Sequence, residues 1–193
     1  MRIFGIILAG GAGRRMGADK ALMPLGGRPL VQWVADSFGP QVEDLALSAN
    51  GDPQRFAFMG LPVLPDSHVQ GPLSGVLAGL HWAAARGATA LATVPCDGPF
   101  VPPDLVPRLC LAAEGGHPAL AQSGDDLLPT YGLWPIASLP ALEAFLTSGV
   151  AARLRDFARL QGGTWASFPA GSFANANTPQ DLAALAARLA QGT

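Results

Sequence analysis

The chain has 193 residues, 49% of them hydrophobic and 13% charged, with a formal net charge of -2. So apolar a chain buries a sizeable core and is not disordered, and so slight a net charge excludes a protein that grips long nucleic acid across a broad basic face. Two cysteines, Cys96 and Cys110, are too few for a disulfide framework and lack zinc-ligand spacing, so a reduced cytoplasm suits them.

Ile3 to Leu8 is nearly all apolar and reads as a strand buried on both faces, the first of a parallel sheet rather than a signal peptide. A helix over Leu30–Phe38 follows Pro29; strands follow at Leu45–Ser48 and Pro62–Leu64. Leu73, Val76, Leu77, Leu80 and Ala84 then fall on one helical face. Ala90–Val94 reads as a buried strand, and Leu105–Ala113 as a helix after Pro102-Pro103. Ala119–Ala121 and Leu127–Trp134 read as strands around a Gly124-Asp125 turn. Helices near Leu139–Leu146 and Val150–Leu160, a strand near Trp165–Phe168 and a helix carrying Leu182, Leu185, Ala186 and Leu189 complete the chain. No apolar run reaches the roughly 18 residues of a membrane span. The alternation predicts one domain over residues 1–193: an α/β fold, a three-layer α/β/α Rossmann-like sandwich with a mainly parallel sheet.

Ligands of open α/β sheets bind beyond the carboxyl ends of the strands. Those positions carry this chain's unusual residues: a glycine loop after Leu8, then Asn50, Asp66 and Asp97. In the loop, Gly10, Gly11 and Gly13 let backbone N–H groups converge on an anion, and Arg14, Arg15 and Lys20 add full charges. Phosphate needs that combination. A dinucleotide-binding turn requires G-x-G-x-x-G, but Gly11, Gly13 and Gly17 have the wrong last spacing. A P-loop requires a Lys directly after its last glycine, but Ala18 follows Gly17 and Lys20 comes too late.

The stretch "LAGGAGRRMGADKAL" resembles the signature L-A-G-G-x-x-x-R-M-G-x-D-K of the molybdenum cofactor guanylyltransferases, which belong to the glycosyltransferase-A-like nucleotidyltransferases. The resemblance implies that Leu8, Ala9 and Gly10 line the nucleotide while Gly11, Arg15, Gly17 and Lys20 serve its phosphates. For Arg14 a phosphate role and a solvated position stand equally open. Asp97, in "TVPCDGPF", matches the family's P-C-D-x-P, whose Asp binds Mg²⁺; oxygen ligands suit that ion. Cys96 reads as a buried neighbour rather than a nucleophile. Asn50 and Asp66 match residues that contact the guanine nucleotide. "FANANTPQDL" resembles the family's N-x-N-T-P on the pterin side, which assigns Asn175 and Asn177 to substrate binding or to help with the metal. Thr178, Pro179 and Asp181 in the same stretch are explained by a helix start alone. Arg153 and Arg155 fit a pterin-phosphate contact and a solvated helix face equally; His68, His81 and His117 are read as loop or structural residues. One departure, "DDLLPTYGLW", lacks the His that often precedes Pro in the family and bears on pterin contact.

The resemblance thus implies a Mg²⁺-dependent enzyme with GTP and molybdopterin as substrates, in transient contact with pterin-delivering or acceptor proteins, and with neither nucleic acid nor membrane as partner. The cytidylyltransferases acting on the same pterin typically read L-A-A-G where this chain reads Leu8-Ala9-Gly10-Gly11, which favours GTP. A non-catalytic nucleotide-binding module would keep the glycines and dispense with Asp97 and the asparagines.

Overall fold

The computed structural model describes residues 1–10, 19–66, 71–113, 115–148 and 153–190. Strand β1 (Ile3–Leu8) is buried from Phe4 onward. Its side chains alternate across the pleat: Phe4, Ile6 and Leu8 enter one core, Ile7 the other. Next come a hairpin of two-residue strands, β2 (Pro24–Leu25) and β3 (Arg28–Pro29), helix α1 (Leu30–Phe38) and strand β4 (Asp44–Ser48). A 3-10 segment over Pro53–Met59 leads to β5 (Val63–Leu64) and α2 (Pro72–Ala85). The chain continues through β6 (Ala90–Pro95), α3 (Leu105–Ala112), β7 (Ala119–Ser123), β8 (Asp126–Pro135), α4 (Leu139–Thr147), α5 (Leu154–Leu160), β9 (Thr164–Phe168) and α6 (Pro179–Ala190).

Seven strands form one sheet in the order β5-β4-β1-β6-β8-β7-β9. β1 runs parallel to β4 and β6, while β8 is antiparallel to β6 and β7. Leu8 pairs with Ser48 on one side and Pro95 on the other, so β1, β4 and β6 end level and their following loops share one edge.

Helices α1 and α3 cover one face through Val31, Val34, Phe38, Leu105 and Leu109. Helices α2, α4 and α5 cover the other through Leu73, Val76, Leu80, Leu142 and Phe157. This is the expected three-layer sandwich. A third, smaller cluster joins α6 to the β2–β3 hairpin through Leu25, Leu30, Ala176 and Leu185. Each buried leucine there contributes roughly 1.5–3 kcal/mol, enough to seat α6 and the segment before it.

The hairpin was not legible in the sequence, and the helix expected over 150–160 is described from Leu154. Among the described residues no helix is long and apolar enough to cross a membrane.

Candidate active site

A cleft of about 320 Å³ opens where β1, β4 and β6 end, and its lining includes Leu8, Gly10, Lys20, Ser48, Asp66, Asp97 and Asn175. Residues distant in sequence are joined here because the parallel register brings three strand ends to one line.

One end of the cleft gathers charge and amide oxygens. Lys20 opens a short 3-10 turn whose N-cap, Asp19, accepts the Ala21 N–H at 3.1 Å. The Lys20 ammonium donates to Asp97 Oδ2 at 3.1 Å and to Asn177 Oδ1 at 2.9 Å. Both members of the ion pair are mostly buried, with side chains 20% and 16% exposed. The segment carrying the asparagines is stapled to the end of β6, where Ala176 N–H donates to the Asp97 carbonyl at 2.8 Å. Ala176 is fully buried. Its neighbours Asn175 and Asn177 therefore both project toward the cleft side, as their alternation in an extended chain requires. The Thr178 hydroxyl accepts the Asp181 N–H at 3.1 Å, and Asp181 Oδ2 accepts the N–H groups of Asn177 and Thr178 at 3.0 and 2.8 Å. This is the helix start read in the sequence, and it also fixes the backbone of Asn177.

Beneath Asn175 lies Tyr131, fully buried on β8, whose hydroxyl donates to Asn175 Oδ1 at 3.1 Å. Burial first, and then the negative charge of Asp97, pushes the Tyr131 hydroxyl well above its ordinary pKa and keeps it a donor. A Cβ added at Gly98 would stand 1.8 Å from the Tyr131 oxygen, so glycine is needed for the two to meet. Burial, with Asp97 next, likewise pushes the Cys96 thiol up to about 12. It stays protonated near neutrality and is no nucleophile.

The other end of the cleft is built on Asp66. The buried Ser48 hydroxyl donates to Asp66 Oδ1. Asn50 Nδ2 donates to Oδ2 at 3.4 Å, while Asn50 Oδ1 accepts the Asp66 N–H at 3.0 Å. Burial raises the Asp66 carboxyl above its ordinary range, and the Ser48 bond opposes that shift in part. Gly10 lies against this carboxylate: a Cβ there would be 2.5 Å from Oδ2. Ala9 turns its methyl into the core beside α1, which leaves only its backbone for a ligand.

Of the residues singled out in the sequence, the fold brings Leu8, Gly10, Lys20, Asp66, Asp97 and Asn175 to the cleft, with Asn50 and Asn177 bonded to its walls. Gly11, Gly13, Arg14, Arg15, Gly17 and His68 lie outside the described residues. Arg155 pairs with Asp156 at 3.4 Å, and neither it nor Arg153 lines the cleft. His81 pairs with Glu143, and His117 bonds the Gln161 carbonyl, both away from the cleft. Ser48, Arg55 and Tyr131 escaped the sequence reading. Ser48 and Tyr131 look like ordinary strand residues, and two of the partners of Arg55 are backbone carbonyls.

Solved structures share this architecture. Molybdopterin-guanine dinucleotide biosynthesis protein A from Archaeoglobus fulgidus aligns with a TM-score of 0.74 at 22% identity, covering 97% of this chain and 99% of that one. The 4-diphosphocytidyl-2C-methyl-D-erythritol synthase of Anaerococcus prevotii aligns at 0.78 and 15% identity, covering 98% and 96%. The fold is that of the glycosyltransferase-A-like nucleotidyltransferases. At the sequence level, the MobA-like NTP transferase domain matches residues 5–164. A molybdenum cofactor guanylyltransferase of Cereibacter sphaeroides is 61% identical over 185 residues, 95% of each chain. One from Rhodobacter capsulatus is 51% identical over 99% of this chain and 98% of its own. The chain belongs to the molybdenum cofactor guanylyltransferase family and is a nucleotidyltransferase.

Proposed function

We propose that the chain transfers GMP from GTP to molybdopterin and releases pyrophosphate. The observation that carries this reading is the meeting of Lys20, Asp97 and Asn177 at one end of a cleft whose other end is Asp66. A nucleoside triphosphate has the matching polarity: a hydrogen-bonding base at one end, a polyanion at the other.

In the reaction a terminal phosphate oxygen of the pterin attacks the α-phosphorus of GTP. A new P–O bond forms as the bond bridging the α- and β-phosphates breaks, and that electron pair leaves with pyrophosphate. The protein's task is alignment and charge stabilisation rather than covalent catalysis. Lys20, with Arg15 by its place in the signature, neutralises the departing phosphates. Asn175 and Asn177 orient the pterin side. Tyr131 holds Asn175 in place from below.

The donor set suits Mg²⁺, which typically takes one or two carboxylates and completes its shell with substrate phosphates and water. Asp97 supplies the carboxylate, with the amide oxygens of Asn175 and Asn177 close by. The ion would add Lewis-acid stabilisation of charge on the phosphates.

At the base end, ionised Asp66 is acceptor-only. Guanine presents two adjacent N–H donors to such a group, whereas cytosine sets a ring acceptor beside its amino group. The close packing of Gly10 on Asp66 supports GTP over CTP, because a methyl there would displace the carboxylate. Pyrophosphate release measured with GTP, CTP and ATP, with and without molybdopterin and a chelator, tests the reading. Turnover is expected with GTP, pterin and Mg²⁺ together. Equal turnover with CTP would shift the assignment to a cytidylyltransferase, and GTP binding without turnover would leave a nucleotide-binding module.

A further inference from the structure

Arg55 sits on the 3-10 segment after β4, and its guanidinium is shared among three partners. Nε donates to Asp19 Oδ2 at 2.8 Å, Nη1 to the Asp52 carbonyl at 2.7 Å and Nη2 to the Asn50 carbonyl at 2.6 Å. The group lies over the ring of buried Phe56, 4.5 Å from its centroid. Asp19 directly precedes Lys20, and its second oxygen holds the Ala21 N–H. Asn50 is bonded twice to Asp66. Contacts therefore run without a break from Asp66 through Asn50, Arg55 and Asp19 to the turn that carries Lys20.

We propose that Arg55 is a positioning residue that sets the separation between the base-reading and phosphate-reading ends of the cleft, so that both engage one nucleoside triphosphate together. The inference rests on the GTP-binding reading above. Two features carry it. First, Arg55 reaches toward both ends: one bond goes to Asp19 and another to the backbone of Asn50. Second, the three acceptors are met by three separate nitrogens of the planar guanidinium, whereas the three donors of a lysine ammonium leave from one nitrogen and do not span the same acceptors. The Asp19 pair is about a quarter exposed, 26% and 28% by side chain. The pair is therefore only partly buried, and its loss should cost some stability; the selective readout is the GTP-to-CTP ratio, which a merely structural role would not move.

The test uses Arg55→Met, which keeps a stem over Phe56 and removes every donor, and Arg55→Lys. Affinities of the full chain for GTP and for CTP are measured by calorimetry, alongside thermal unfolding. In Arg55→Met, GTP affinity is expected to fall about tenfold or more, and the GTP-to-CTP affinity ratio to fall with it, in a chain that thermal unfolding shows to be folded at the assay temperature. Arg55→Lys should lie between, because it can retain the Asp19 pair and lose the carbonyls. GTP affinity within about twofold of the parent overturns the proposal. So does an equal loss for GTP and CTP, which would confine Arg55 to the phosphate end. If Arg55→Met fails to fold, Arg55→Lys decides alone: a GTP-to-CTP ratio equal to that of the parent overturns the proposal. Pyrophosphate release by the parent chain is run in parallel. A parent that binds GTP without transferring it defeats the proposed reaction and leaves the Arg55 comparison intact. Turnover by the parent with unchanged binding by the variants defeats the Arg55 inference alone.

Discussion

The Lys20 ammonium stands 3.1 Å from Asp97 Oδ2 although 77 positions separate the two residues. Asn177 shares the same ammonium at 2.9 Å. On the proposed reaction, a cation held between a carboxylate and an amide oxygen in this cleft would stabilise the negative charge of transfer. Lys20→Ala and Asp97→Ala should each lower kcat by about 10²–10³, the usual loss on removing one preorganised electrostatic contact. Circular dichroism should show both variants folded. Near-parental turnover in either folded variant would remove that residue from the mechanism.

The raised Asp66 carboxyl gives two pH effects of opposite direction. The folded chain keeps this proton to higher pH than the unfolded chain, so the Asp66 contribution to stability declines as pH rises from the unfolded to the folded pKa. The proposed recognition of guanine by Asp66 needs the ionised form. The GTP-to-CTP affinity ratio should therefore fall as pH drops through the raised value, beginning at a higher pH than an ordinary aspartate would give. In Asp66→Asn the ratio should be low and flat with pH. A parental ratio that stays constant throughout the acidic range would exclude Asp66 as the base reader.

Gly10→Ala places a Cβ 2.5 Å from Asp66 Oδ2. The carboxylate, held by Ser48 and Asn50, must move. Gly10 is exposed and the clash falls on a side-chain end, so the effect should show in base preference more than in stability. The kcat/KM for GTP should drop while that for CTP holds or rises. An unchanged preference between the two nucleotides would show that this contact does not govern base choice.

Tyr131→Phe deletes the hydroxyl that holds Asn175 and leaves the ring in its core position. A loss of about 0.5–1.5 kcal/mol in stability is expected, as for one hydrogen bond. Steady-state kinetics should show a raised KM for the pterin and an unchanged KM for GTP. An equal rise for both substrates would contradict the assignment of Asn175 to the pterin side.

Much of this site could be read in the sequence because it lies where the architecture puts ligands. Apolar runs marked β1, β4 and β6, and the polar residues just past them, Gly10, Asn50 and Asp97, stood out against those runs. The alternation of Asn175 and Asn177 around buried Ala176 was legible for the same reason: strand-like geometry has a fixed period. The rest depends on contacts that leave no pattern. Arg55 binds two carbonyls, which every residue possesses. Tyr131 is one more buried aromatic on a strand until the hydroxyl is seen under Asn175. Strands of two residues, as in the β2–β3 hairpin, are too short for any periodicity to appear.

The bond from Ala176 N–H to the Asp97 carbonyl also bears on how the pocket is completed. The asparagine wall follows β9, the last strand of the sheet. A chain ending after β9 would possess every strand of the sheet, yet lack the wall that Asn175 and Asn177 add to the cleft. Completing the sheet and completing the pocket are thus separable, and the cleft gains its last wall only when the closing segment docks.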